Sequence, residues 1–424
     1  MSAGADMDSA GIELDQSTVS AQAWGAGSGT GRAAKLKQRL PTFSFLEKAA
    51  RRRIPGFAFD FVDGGTGEHL AAACNRNALD AVQIIPRYGA SVVVNTEIEL
   101  FGRRYASPIG IAPVGVDGLV WPGATQLLAK AAQRARIPYI TGTLASGSVE
   151  EVARLCPDNV WLQLYGLPRD EHRVTFDLIR RAEDCGVHVL VATLDAPVRA
   201  KRPRDLHNGL IVPFRMTPRT VWQVVMSRHW AQALLKNGAP GFPNIERYVG
   251  GGSGMAATAG FVQREIKGTF DWETLARMRD AWPRALVVKG VLHPDDAERA
   301  ISLGIDGVLV SNHGGRQSEA APPSIDMLPS IARVVGARAT VLFDSGIRSG
   351  LDIARAMALG AHGTFCGRAF LYGLAALGRE GPDHVAQLLD DELRTALAQN
   401  GAYNCAQLRS AAVRHPAAWQ LDRL

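Results

Sequence analysis

Cysteine is scarce in this chain. Its five copies, Cys74, Cys156, Cys185, Cys366 and Cys405, sit far apart at spacings that fit no zinc or redox pair. An odd count without pairing points to free thiols in a reducing, cytosolic setting, and to no metal site. Also missing is any uninterrupted apolar stretch long enough to span a bilayer. The N-terminus opens on acidic residues rather than a positively charged n-region, so no secretory signal is expected. No long Lys/Arg run is interleaved with aromatics, which argues against a nucleic-acid partner.

What is present has the balance of a soluble enzyme, with 46% hydrophobic and 21% charged residues. A length of 424 residues suffices for two average domains, or for one α/β barrel with extensions. The net charge of +6 suits an anionic small substrate or an acidic membrane surface.

Residues 1–38, rich in Ala, Gly and Ser, read as a disordered tail. A helix begins near Thr42, its Arg51-Arg52-Arg53 run forming a solvated end, and Pro55-Gly56 breaks it. A second helix over 68–79 carries Asn75-Arg76-Asn77. From Ser107, apolar runs alternate with segments of helical period. Eight runs read as strands: 108–111, 139–141, 160–164, 189–192, 286–288, 307–310, 341–343 and 363–366. Most lack polar alternation, as strands covered on both faces do. Gly304, Gly336 and Gly360 stand where helices between them would end. The pattern predicts an α/β fold, a TIM (β/α)8 barrel over 39–408 with an N-terminal helical extension, and a C-terminal tail over 409–424.

One connection breaks the rhythm. About 90 residues separate the fourth and fifth strands, where a unit needs about 30. Residues 209–265 of it read as a long insertion over the carboxyl face, a lid or binding element. Within it, 221–237 carries Trp222, Val225, Trp230, Leu234 and Leu235 with Arg228, His229 and Lys236. The preferred reading is an amphipathic helix packed on the protein itself or on a neighbouring subunit; the alternative is peripheral contact with a membrane. The glycine-rich stretch 250–254 after it reads as mobile.

The chemistry gathers after the sixth strand, in Ser311-Asn312-His313-Gly314-Gly315-Arg316-Gln317. Two glycines between a histidine and an arginine let the backbone turn sharply or approach a ligand. Other strands end in polar groups too: Gln163 and Tyr165, Thr193 and Asp195 followed by Arg202, Lys289, Asp344 and Arg348, and Gly367 with Arg368. One such group on strand after strand is the mark of a barrel active site. The last two ends pair glycine N–H groups with arginine, as a phosphate cradle does. These residues suggest a phosphorylated cofactor, a histidine base steered by a carboxylate, and cations for an anionic substrate.

The stretch from Ser311 to Gln317 resembles the active-site signature of the FMN-dependent α-hydroxy acid dehydrogenases and oxidases. Gln163-Leu164-Tyr165, Lys289-Gly290, Asp344-Ser345-Gly346 and Gly367-Arg368 match family motifs in the same order, and the similarity runs from Leu40 to about Leu408. Arg204-Asp205-Leu206-His207-Asn208 and the long fourth connection look most like the membrane-associated mandelate and lactate dehydrogenase branch.

The resemblance implies FMN as cofactor and His313 as the base, with Asp195 stabilising the imidazolium. It implies Arg316 and Arg202 as holders of the substrate carboxylate, a task suited to guanidinium. Tyr165 would bond the substrate, and Lys289 the flavin's N1–C2 carbonyl edge. Gln163 and Thr193 would bond the ring's polar edge, with Ser311 and Gly315 also at the cofactor. Pro113, Val114 and Gly115 would lie along the flavin. Arg348, Gly367 and Arg368 would bind its phosphate and Asp344 its ribityl chain, with Gly346 also at the cofactor.

There are departures. Phe59 stands where the family has a tyrosine, so one bond to the substrate carboxylate, worth about 1.5–3 kcal/mol, is missing. Leu144 and Gly142 replace residues that are often tryptophan and serine. These changes imply an apolar pocket and an aromatic or bulky (S)-2-hydroxy acid. The expected acceptor is a quinone or cytochrome. The alternatives are an oxidase that reduces O₂ to H₂O₂, or a flavin-binding protein without the reaction. The resemblance also implies a homotetramer, cytoplasmic, with any peripheral contact at the inner face of the cell membrane.

Overall fold

The computed structural model describes residues 31–89, 93–198, 200–210, 217–249, 257–258, 260–261 and 270–419. Eight parallel strands close into a barrel. In chain order they are β1 (Ile109–Ile111), β2 (Tyr139–Gly142), β3 (Val160–Leu164), β4 (Val189–Thr193), β5 (Ala285–Val291), β6 (Gly307–Val310), β7 (Thr340–Phe343) and β8 (Gly363–Cys366). All eight coincide with the apolar runs of the sequence. Their residues are buried almost throughout, because helices cover the outer face and side chains fill the inside.

Alternation along each strand then dictates the site. Ile140, Trp161, Val191, Val287, Leu309, Leu342 and Phe365 pack together inside the barrel. Two residues further along each strand, the same inward direction belongs to Gly142, Gln163, Thr193, Lys289, Ser311, Asp344 and Gly367. A dry apolar core thus ends in a ring of polar and small residues at the carboxyl end. The opposite end is plugged by a hairpin of Ile98–Leu100 and Arg103–Tyr105. The Trp161 indole there donates to the Tyr105 hydroxyl at 3.1 Å and packs on Phe101 and Phe365.

The N-terminal extension is helical, with helices Gly31–Arg39, Phe43–Arg53, Gly56–Asp63 and Leu70–Ala81. Residues 31–38 belong to a helix, tethered by Arg32–Glu380 and Lys37–Asp391 ion pairs, and not to a disordered tail; residues 1–30 lie outside the described residues. Pro55 interrupts the helix but also begins the next one, since proline fits a helix start. The described part of the expected C-terminal tail, residues 409–419, is docked on the rest of the protein. Val413–Arg414 pairs with Gln83–Ile84, and His415 Nε2 lies 2.8 Å from Asp326 Oδ1.

Within the connection after β4, the stretch read as one helix over 221–237 instead belongs to two, Pro218–Met226 and Arg228–Asn237. The break falls at Ser227, whose ψ of 62° is not helical. Trp230 turns inward, its indole donating to the Leu119 and Val120 carbonyls. Val221, Trp222, Val225, Met226 and Leu235 stay exposed. The stretch 250–254 lies outside the described residues. Among the described residues, no helix is long and apolar enough to cross a membrane.

Candidate active site

The floor of the barrel mouth is a buried polar ring. Gln163 Nε2 donates to Thr193 Oγ1 at 2.8 Å. Lys289 Nζ donates to Ser311 Oγ at 2.8 Å and lies 3.4 Å from Asp344 Oδ2. Burial works against the Lys289 ammonium, but Asp344 and Asp195 outweigh it and hold its pKa above the usual lysine value. A fixed positive charge therefore sits inside an otherwise dry site. Gly142 faces it: a Cβ there would come within 3.3 Å of Gln163 Oε1 and 3.4 Å of the Val114 carbonyl.

Above the floor, β4 and β6 bring Asp195 and His313 together. His313 Nδ1 lies 2.9 Å from Asp195 Oδ1, so Nδ1–H donates to the carboxylate and Nε2 is left as the acceptor. Nε2 is 3.3 Å from the Tyr165 hydroxyl. His313 takes a left-handed backbone, with φ of 59°, which costs about 1–2 kcal/mol for a residue with a side chain. Gly314 and Gly315 continue the left-handed turn, and a Cβ at Gly315 would lie 2.6 Å from the Ala72 amide nitrogen. The sharp turn and close approach predicted for these glycines are both present.

Charge sets the states of the pair. Burial pushes the His313 pKa down; Asp195 opposes this, while Lys289 and Arg202 add to it, and the net is below the usual imidazole value. Burial pushes Asp195 up, yet His313 and Lys289 hold it below the ordinary aspartate value. The result is a neutral imidazole beside an ionised carboxylate. Burial also lifts the Tyr165 hydroxyl, which stays protonated and able to donate.

The arginines are placed differently from one another. Arg316 Nη1 donates to the Phe61 and Gly64 carbonyls at 2.9 and 2.6 Å, and the guanidinium lies 5.2 Å from the Phe61 ring. Both bonds use Nη1, so they leave the Nε and Nη2 hydrogens to other acceptors. Burial, then Arg202 and Arg368, push the Arg316 pKa well below the guanidinium norm. Arg368, the expected phosphate fork, is anchored by the Val62, Gly314 and Gly64 carbonyls at 3.0, 2.8 and 2.8 Å, which leaves one N–H on each Nη. Arg348 lies over the Phe43 ring at 4.9 Å, with Glu47 3.9 Å away, and so faces the N-terminal helices. Phe59 is likewise not at the mouth. Its buried ring meets Tyr372 at 5.6 Å and Arg51 at 4.4 Å.

The residues present fit FMN even so. The floor offers amide, hydroxyl and ammonium groups for a flavin's polar edge. The helix Arg368–Leu377 begins at Gly367 with no side-chain cap and no acidic residue in its first turn, leaving backbone N–H groups for a phosphate. Pro113, Val114 and Gly115 follow β1 beside this floor, and a Cβ on Gly115 would touch Leu144 at 3.3 Å.

Several contributors were not assigned from sequence. Asn75 and Asn312 exchange amide hydrogen bonds at 2.8 and 2.7 Å, fixing the signature turn to the helix Leu70–Ala81. Asn75 sits in the polar Asn75-Arg76-Asn77 run, unusual on an alanine-rich helix, and that was the available signal. Gly290 has φ of 95°, and a Cβ there would lie 2.4 Å from Asp195 Cγ. Its glycine keeps open the space the catalytic-type carboxylate occupies.

Comparison with known proteins agrees with this geometry. A family model described as FMN-dependent dehydrogenase matches residues 50–415. An L-lactate dehydrogenase of Caulobacter vibrioides is 39% identical over 368 residues, 86% of this chain and 94% of that protein. The 4-hydroxymandelate oxidase of Amycolatopsis orientalis is 39% identical over 365 residues, 86% of this chain and 95% of that protein. The solved structure of the monotopic membrane protein (S)-mandelate dehydrogenase superposes with a TM-score of 0.83 at 33% identity, covering 88% of this chain and 99% of that one.

Because the Asp195 charge favours the imidazolium, Asp195→Asn is expected to lower the His313 pKa further, read by NMR titration of the imidazole. An unchanged or raised value would contradict this electrostatic account.

Proposed function

The chain belongs to the FMN-dependent dehydrogenase family, and from that premise we propose that it oxidises an aromatic or bulky (S)-2-hydroxy acid to the 2-keto acid. The observation that carries this reading is the neutral His313 imidazole, held by the ionised Asp195 and set beside the Arg202 and Arg316 charges. A base alone suits many reactions. A base next to crowded, buried cations suits a substrate whose carboxylate relieves their repulsion.

The geometry supports the following roles. Arg316, anchored through Nη1, presents its remaining edge to the carboxylate, with Arg202 as the second cation. Tyr165 donates its hydroxyl hydrogen toward the substrate oxygen near the reacting carbon. His313 Nε2 accepts the proton that leaves the hydroxy acid, and Asp195 stabilises the imidazolium so formed. Oxidation removes two electrons and two protons, and bound FMN supplies the two-electron sink. Lys289 would offer positive charge to the flavin's carbonyl edge, and Gln163, Thr193 and Ser311 would bond its polar rim. Backbone N–H groups at the start of the helix Arg368–Leu377, with Arg348 and Arg368, would hold its phosphate, and Asp344 and Gly346 would border the rest of the cofactor.

An aromatic substrate is supported by Leu144 next to Gly115 and by the mandelate-handling relatives. It draws no support from Phe59, whose ring lies in the core. The purified holoenzyme is expected to lose its oxidised-flavin absorbance under anaerobic conditions with (S)-mandelate, with a higher kcat/KM than for L-lactate. A preference for lactate would refute the substrate class, and a flavin left oxidised by every 2-hydroxy acid would refute the activity. Dye or quinone reduction outpacing oxygen uptake is expected for a dehydrogenase; fast peroxide formation would make it an oxidase.

The exposed face of Val221, Trp222, Val225, Met226 and Leu235, flanked by Arg219, Arg228 and Lys236, is the surface for peripheral membrane contact. The monotopic character of the mandelate dehydrogenase relative supports this over packing on the protein itself. Pelleting with anionic vesicles should be lost in Trp222→Asp; equal pelleting of both proteins would exclude the surface.

A further inference from the structure

The start of the β4–β5 connection, which carries Arg202, is strapped onto the N-terminal extension by polar contacts. Arg204 Nη1 donates to Asp63 Oδ2 and lies 4.0 Å from Asp60 Oδ1. Asn208 Nδ2 donates to Asp60 Oδ2 at 2.8 Å. Thr66 Oγ1 and the Gly67 amide both donate to the Lys201 carbonyl, at 3.1 and 3.4 Å. The other oxygen of Asp63 accepts the Tyr372 hydroxyl at 2.7 Å, from the helix Arg368–Leu377. One carboxylate therefore ties together three elements: the crossover segment, the helix Gly56–Asp63 and the helix after β8.

That location matters for the cations. Asp63 is the last residue of the helix whose Phe61 and Val62 carbonyls, with that of Gly64 just beyond, hold Arg316 and Arg368. Arg204 lies two residues beyond Arg202, in the short helix Pro203–His207 that Arg202 caps. Fixing Arg204 on Asp63 fixes the backbone that carries Arg202, relative to the same helix end that anchors Arg316. The Arg204 side chain is 37% exposed and that of Asp63 19%, so the clamp sits at the edge of the site rather than in the core.

We propose that Asp63 is a positioning residue for substrate binding: by clamping Arg204, it sets Arg202 at the distance from Arg316 that one carboxylate can bridge. This rests on the reading of Arg202 and Arg316 as the carboxylate pair.

The test uses the FMN-loaded enzyme. Phenylglyoxylate, the 2-keto acid matching mandelate, is titrated against the flavin absorbance of wild type, Asp63→Asn, Asp63→Glu, Arg204→Gln and the Asp63→Asn/Arg204→Gln double variant. Turnover of (S)-mandelate and amide hydrogen exchange over 201–208 are followed in parallel. Asp63→Asn should raise Kd and KM about tenfold, change kcat by less than about threefold and speed exchange over 201–208. Asp63→Glu should recover most of the binding, and the double variant should be no weaker than the worse single one. Arg204→Gln, at the exposed side of the clamp, gives the same readout if Asp63→Asn does not fold. Unchanged Kd and KM in both single variants, or effects that multiply in the double variant, would overturn the clamp and leave the hydroxy acid reading intact. No flavin perturbation in wild type at any phenylglyoxylate concentration would overturn the carboxylate site, and the clamp with it.

Discussion

The hydrogen bond from His313 Nδ1 to Asp195 Oδ1 is the contact around which the rest of the site is arranged. It needs β4 and β6 to deliver their ends to one point, across the intervening β5. It needs glycine at 290, because any side chain there would occupy the space of Asp195. It needs the left-handed turn at His313, stabilised by Ser311 Oγ accepting the His313 amide and by the Asn75–Asn312 amide pair. Each requirement is met by a residue outside the pair. A histidine held by a carboxylate through one nitrogen, in a dry site, is neutral and aims its other nitrogen at whatever lies above the floor.

A second constraint is electrostatic. Arg202 and Arg368 lie close enough to depress Arg316, Arg348 and Arg202 depress Arg368, and carbonyl oxygens rather than carboxylates accept hydrogen bonds from Arg316 and Arg368. The helix Gly56–Asp63 aims its C-terminal carbonyls at these guanidiniums, the favourable end of a helix for a cation. Two of the arginines thus shape the mouth as much as they charge it. Arg368 is structural glue between the signature turn and the N-terminal extension. The extension is a wall of the site, and the sequence region from Pro55 to Gly67 is as much part of the chemistry as the strand ends.

Much of this was legible in the residues. The eight buried strands announce themselves as short unbroken apolar runs, and the polar group that ends each one predicts the ring at the barrel mouth. His313 with Asp195, Lys289 near Ser311 and Gln163 near Thr193 all come together as strand order implies. Side-chain direction was less legible. Arg348 and Arg368 stand at the right strand ends but turn toward Glu47 and toward backbone carbonyls, and sequence spacing carries no rotamer information. Phe59 sits in the core because its helix, invisible as a periodic pattern over eight residues, presents that position to Tyr372. The docking of the C-terminal residues depends on tertiary partners far along the chain.

The central claim is that His313 removes the proton of the hydroxy acid. Its most direct test is the single-turnover rate of anaerobic flavin reduction by (S)-mandelate, compared between wild type and His313→Gln at equal flavin content. The rate should fall about a hundredfold to ten-thousandfold, the range for removing a general base. A rate within about threefold of wild type, with flavin fully bound, would contradict it.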